Sequence, residues 1–84
     1  MTYHNKKIER GVYGGESKIR EEYEEFQDAL EQCNPIMALV ELSDLIGAIE
    51  GYTLANYNIT LNEVLEMHYA TQRAFKSGHR KARK

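Results

Sequence analysis

The sequence predicts an all-α protein, an antiparallel helical hairpin followed by a third helix. Three observations carry that expectation. Ile19, Tyr23, Phe26 and Leu30 recur at intervals of four, three and four, which is one apolar helical stripe. From Ile36 to Ile49 the chain is almost wholly apolar, with only Glu41 and Asp44 charged. Asn34-Pro35 and Thr60-Leu61-Asn62-Glu63 punctuate the chain as helix starts.

At 84 residues the chain is one domain, near the lower limit for a self-sufficient core. It is 42% hydrophobic and 29% charged, a balance that suits a globular protein rather than a disordered one. No apolar run reaches the ~18 residues of a membrane span, and Met1 to Arg10 lack the apolar segment of a signal peptide. Cys33 is the single cysteine and has no internal disulfide partner, so the expected home is a reducing cytoplasm. The net charge of −2 conceals an asymmetry. Nine of the thirteen acids lie between Glu21 and Glu50, and six of the eleven Lys and Arg lie between Arg73 and Lys84. An acidic middle points to metal, and a basic end to phosphate or nucleic acid.

Residues 1–15 read as an irregular arm, with Gly11, Gly14 and Gly15 around Val12-Tyr13 favouring a turn. The glycines match neither a P-loop nor a dinucleotide fingerprint. The first helix is expected from Glu16 or Ser17 to Gln32; Ala29 and Cys33 widen its stripe, and Glu21, Glu22, Glu24, Glu25, Asp28 and Glu31 occupy its other faces.

Asn34 is a good N-cap and Pro35 suits the first helical position, so the second helix begins there and runs to Tyr57. A link of two or three residues makes the two helices an antiparallel hairpin. Counted from Asn34, Glu25 lies nine residues back and Glu22 twelve; Glu41 lies seven forward and Asp44 ten. At ~1.5 Å per residue the two acidic pairs stand within about one turn of the same height. Carboxylates in so apolar a helix are costly unless paired with cations or bound to metal. Gly47, Ala48 and Gly51 mark close helix approach. Apolar residues on nearly every side of this helix call for more cover than one short chain offers, which predicts a homodimer, or a tetramer built from dimers, of four-helix-bundle type.

Thr60 and Glu63 have capping-box form, so a third helix runs from Leu61 to about Lys76, with Gly78 as a stop. His68 on that helix reads as a packing or capping residue. The tail, 77–84, is basic but holds no aromatic to stack bases, so nucleic acid is not the expected partner.

Written as a pattern, Glu21-Glu22-Tyr23-Glu24-Glu25 is followed after fifteen residues by Glu41-Leu42-Ser43-Asp44: EExxE, then ExxD. Across Gly14 to Tyr57 this resembles the signature of the MazG-like all-α nucleoside triphosphate pyrophosphohydrolases, a superfamily that includes dimeric dUTPases and phosphoribosyl-ATP pyrophosphohydrolases. The resemblance implies a magnesium site, with manganese as an alternative ion, held by Glu22, Glu25, Glu41 and Asp44. Carboxylate oxygens are the ligands such ions prefer. Glu21 would orient water, add a ligand or act as a base. The implied reaction hydrolyses the α–β linkage of a nucleotide to monophosphate and pyrophosphate. Lys18, Lys76 and Arg80 are the cations expected to hold phosphate, on charge and position. The expected form is a minimal unit without the tandem second domain that longer members carry, and its small form also suits a phage-encoded version acting in a host cytoplasm. Two other readings fit the residues: a non-catalytic helical module that dimerises through its second helix, and a nucleotide- or nucleic-acid-binding protein using the basic tail.

Overall fold

The computed structural model describes residues 7–76. The outer part of the arm, 1–6, and the basic tail, 77–84, with Gly78 and Arg80, lie outside the described residues. Within them the chain forms α1 (Glu16–Glu31), α2 (Pro35–Tyr57) and α3 (Leu61–Lys76). The helix bounds agree with the sequence expectation to within a residue, because each boundary is a local chemical event.

The α1–α2 corner shows why. Cys33 N–H donates to the Leu30 carbonyl and Asn34 N–H to the Ala29 carbonyl, both at 3.0 Å. This pair of bonds is a Schellman closure, which requires a left-handed residue. Cys33 takes that role with φ 56°. Asn34 at once caps α2, its Oδ1 accepting from Met37 N–H at 3.0 Å, and Pro35 follows in the first turn. The corner is therefore rigid, and it sets the register of the hairpin.

At its far end α2 stops on left-handed Asn58 (φ 55°, ψ 38°), whose N–H donates to the Leu54 carbonyl at 3.1 Å. The capping box of α3 closes in both directions. Thr60 N–H donates to Glu63 Oε1 at 2.8 Å, and Glu63 N–H to Thr60 Oγ1 at 3.2 Å.

The packing is unusual for a helical hairpin. α1 lies along α2, while α3 meets α2 sparsely and, among the described residues, its backbone does not come close to that of α1. The facing surfaces hold small residues and acids. Ala29, Ala38 and Ala48 are buried, with Gly51, and so are Glu22, Asp28 and Glu41. Asp28 accepts from Gln32 Nε2 at 2.8 Å. Many large apolar side chains point elsewhere, while Ile19 and Phe26 of α1 and Leu45 and Ile49 of α2 are half-buried. Tyr23 and Leu30 of the expected α1 stripe are exposed, as are Ile36, Leu39, Val40, Leu42, Ile46 and Leu54 of α2. Within one chain α2 is thus covered along one face only, and α3 has no buried residue.

No helix among the described residues is long and apolar enough to cross a membrane.

Candidate metal centre

The face of α2 turned to α1 carries Ala38, Glu41, Ala48 and Gly51, all buried, with Asp44 on the same line at its solvent edge. The opposing face of α1 carries Glu21, Glu22, Glu25 and Ala29. The corner register sets these acids side by side. Carboxylate oxygens of Glu22, Glu41 and Asp44 all lie within 4.8 Å of one another, and so do those of Glu21, Glu22 and Glu25. Glu22 belongs to both groups. The structure therefore brings the four expected ligands into one acidic seam, arranged as two overlapping triads rather than one ring of four.

The seam is electrostatically costly as it stands. Burial raises the Glu22 pKa, and the charges of Asp44, Glu21 and Glu41 raise it further, against the lowering effect of Lys18. Glu25 is pushed up to about 8, by burial first, then by its hydrogen bond to Glu21 and the charges of Glu22, Glu41 and Glu21. Glu41 has one oxygen, Oε1, shut from solvent that accepts no hydrogen bond, though the side chain as a whole is engaged with its surroundings. A set of hard oxygen donors that disfavour one another's charge is chemically matched to a divalent cation such as magnesium or manganese, which bind carboxylate oxygen and reverse the local pKa logic.

Glu21 differs from its neighbours. Burial pushes its pKa up, but the Gly11 N–H, the Lys18 ammonium and the hydrogen bond with Glu25 outweigh that and hold it below the ordinary value. Gly11 N–H donates to Glu21 Oε1 at 2.8 Å and Lys18 Nζ to the same oxygen at 3.1 Å. The glycine is needed there, since a Cβ at residue 11 would collide with the Ser17 carbonyl. Lys18, whose pKa is raised chiefly by its bond to Glu21, thus stands at the edge of the seam.

Residues 11–15, the inner part of the arm, are held by hydrogen bonds that the sequence does not suggest. Val12 N–H donates to Ser17 Oγ at 3.0 Å, and Gly15 N–H to the Val12 carbonyl at 3.0 Å. Gly14 adopts φ 96°, and its carbonyl accepts from Asn56 Nδ2 at 3.0 Å. Sequence reading found the glycines but not this docking; their spacing, with Gly51 inside a helix, was the available signal. Beside the arm a cleft of about 300 Å³ opens among Lys7, Arg10 and Arg20, with Glu9, Glu21 and Glu24.

Of the other expected cations, only Lys76 lies among the described residues. Lys76 ends α3, whose backbone does not come close to that of α1 among the described residues, and Arg80 lies outside them. His68 is exposed, its ring 5.4 Å from that of its chain neighbour Tyr69. No protein-family model, curated protein or solved structure matches this chain.

Proposed function

We propose that the protein is a magnesium-dependent nucleotide pyrophosphohydrolase that cleaves the α–β phosphate linkage of a nucleoside triphosphate or related nucleotide. The observation that carries this reading is the seam itself: two overlapping carboxylate triads on two antiparallel helices, sharing Glu22. A solvated acidic face has no need to bury its carboxylates, yet Glu22 of α1 and Glu41 of α2 are both buried here.

Glu22, Glu25, Glu41 and Asp44 hold the ion in this reading. Magnesium at that position supplies charge neutralisation for phosphate oxygens and a lowered pKa for water. Glu21 has a different task. Kept ionised by Gly11 and Lys18, it accepts a hydrogen bond from the attacking water and orients it. The water oxygen forms the new bond to the α-phosphorus, the bond from that phosphorus to the bridging oxygen breaks, and pyrophosphate leaves. The water's proton passes by way of Glu21 to solvent. Lys18 balances phosphate charge at the edge of the seam, while Lys76 and Arg80 belong to the binding of substrate only if a second chain carries them there.

The reading includes a homodimer, or a tetramer built from two such dimers. Ile36, Leu39 and Ile46 are at least half exposed on α2, as is Leu30 on α1. That much apolar surface on so small a chain marks an interaction face.

The test is a panel of canonical and modified nucleotides, with magnesium or manganese, scored for pyrophosphate. We expect release from at least one nucleotide, abolished by chelation. In Asp44→Asn the rate should drop roughly 100-fold or more, beyond what losing an outer partner of a metal ligand typically costs. A panel without any pyrophosphate in either metal ends the enzymatic reading. The exposed apolar face by itself also suits a non-catalytic helical module; in that case Glu41→Gln and Asp44→Asn leave or raise stability, and magnesium does not move the melting temperature.

A further inference from the structure

We infer that Tyr13 is the platform on which the nucleotide's base stacks, an inference that rests on the pyrophosphohydrolase reading and assigns its specificity to the N-terminal arm.

Gly51 lies inside α2, where glycine costs about 1 kcal/mol relative to alanine. Its reason is the Tyr13 ring. A Cβ at residue 51 would stand 2.6 Å from Tyr13 Cε2, 2.6 Å from Cζ and 3.0 Å from Cε1. Near-equal distances to three adjacent ring carbons put Gly51 beneath the face of the ring, not at its edge. One face is therefore seated on bare helix backbone, while Tyr13 as a whole remains 63% exposed, which leaves the other face to solvent. An aromatic side chain anchored on one face and open on the other is the arrangement that receives a base, and such stacking serves any base because each has a π-face.

The ring is also in the right place. Gly51 is seven residues beyond Asp44 on the α1-facing line of α2, about 10 Å along the axis. Two residues before Tyr13, the Gly11 N–H is bonded to Glu21 of the seam. A substrate whose phosphates lie on the carboxylates would extend its sugar and base along α2 towards the arm. Two anchors hold the segment still: Val12 on Ser17 Oγ, and Gly14 on Asn56 Nδ2. The platform is thereby preorganised, and binding pays little to order it.

The test compares two ligands with manganese present: a nucleoside 5′-monophosphate, and ribose 5-phosphate, which has no base. Affinity is measured by calorimetry for the wild type, Tyr13→Phe and Tyr13→Ala, each first shown to keep its helical circular dichroism and its manganese binding. We expect Tyr13→Ala to weaken the monophosphate about tenfold and leave ribose 5-phosphate unchanged, with Tyr13→Phe close to wild type. Base-induced upfield shifts of the Tyr13 ring resonances should accompany binding to the wild type, and of the Phe ring in Tyr13→Phe. Equal losses for both ligands, no loss for either, or a change in oligomeric state without a ligand-selective loss would overturn the assignment of Tyr13 while leaving the metal centre standing. A wild type that binds manganese but no nucleotide would bring down the nucleotide reading, and this inference with it. A Tyr13→Ala protein that fails to fold shifts the decision to the wild-type ring resonances, whose silence on adding nucleotide would likewise refute it.

Discussion

At Glu25 the carboxyl pKa rises from an ordinary 4.5 to about 8, by burial first, then through Glu21, Glu22 and Glu41. The folded state therefore holds a proton that the unfolded chain releases near pH 4.5, and it binds more protons than the unfolded state across that window. Stability then falls as pH rises from about 5 to 8. Glu22, also raised, works in the same direction. Glu21, held low by Gly11 and Lys18, acts only below the ordinary carboxylate range, where its contribution is lost as pH falls. We expect the melting temperature of ion-free protein to decline over that window, the decline to shrink in Glu25→Gln, and saturating magnesium to flatten it by favouring the ionised carboxylates. A melting temperature that rises over the window in the absence of metal contradicts this electrostatic picture. Cys33 offers a separate residue-scale prediction. It occupies a left-handed position that glycine fills without strain, and its side chain is exposed. Cys33→Gly should stabilise the protein by about 0.5–1 kcal/mol, read from chemical denaturation.

The elements were legible where the chain states its intentions locally. Asn34-Pro35 and the Thr60–Glu63 box are short-range devices, and the structure forms both. The acidic pairs lie nine and twelve residues before Asn34 and seven and ten after it, which foretold their meeting to within about one turn, because a tight corner converts sequence separation into height. Two features were hidden. The docking of the arm depends on bonds between residues ten and forty-two apart, from Gly11 to Glu21 and from Asn56 to Gly14, and periodicity carries no trace of such contacts. The orientation of α1 was hidden as well. Its apolar stripe invites burial against α2, yet Glu22, Asp28 and Ala29 are the buried residues while Ile19 and Phe26 are half-buried and Tyr23 and Leu30 face out. If the acids face inward to hold an ion, the helix caps should matter for function as much as for stability. Asn34→Ala removes the cap that sets the corner and should cost about 1 kcal/mol, with weaker magnesium binding. Thr60→Ala should cost a similar amount while leaving magnesium affinity unchanged, since the backbone of α3 does not come close to that of α1 among the described residues.

For the molecule as a whole, the radius of gyration is 15.2 Å, against about 12 Å for a compact chain of this length. Among the described residues the buried apolar side chains are three alanines, and most of the large apolar side chains of α2 are exposed, with Leu45 and Ile49 half-buried. A chain built in this way lacks a core of its own, which is the physical ground for proposing that a second copy completes it. Leu39→Lys combined with Ile46→Lys should give monomers with a sharply lower melting temperature in sedimentation and thermal unfolding. A stable wild-type monomer at micromolar concentration would contradict the proposed assembly. The measurement closest to the central claim is a calorimetric titration of manganese into the wild type and into Glu22→Gln, at a pH near 8, with magnesium as competitor. Glu22 is the one carboxylate common to both triads. The account requires saturable binding that magnesium displaces and that Glu22→Gln weakens at least tenfold while remaining folded; no saturable heat in the wild type, or the same affinity in Glu22→Gln, would contradict it.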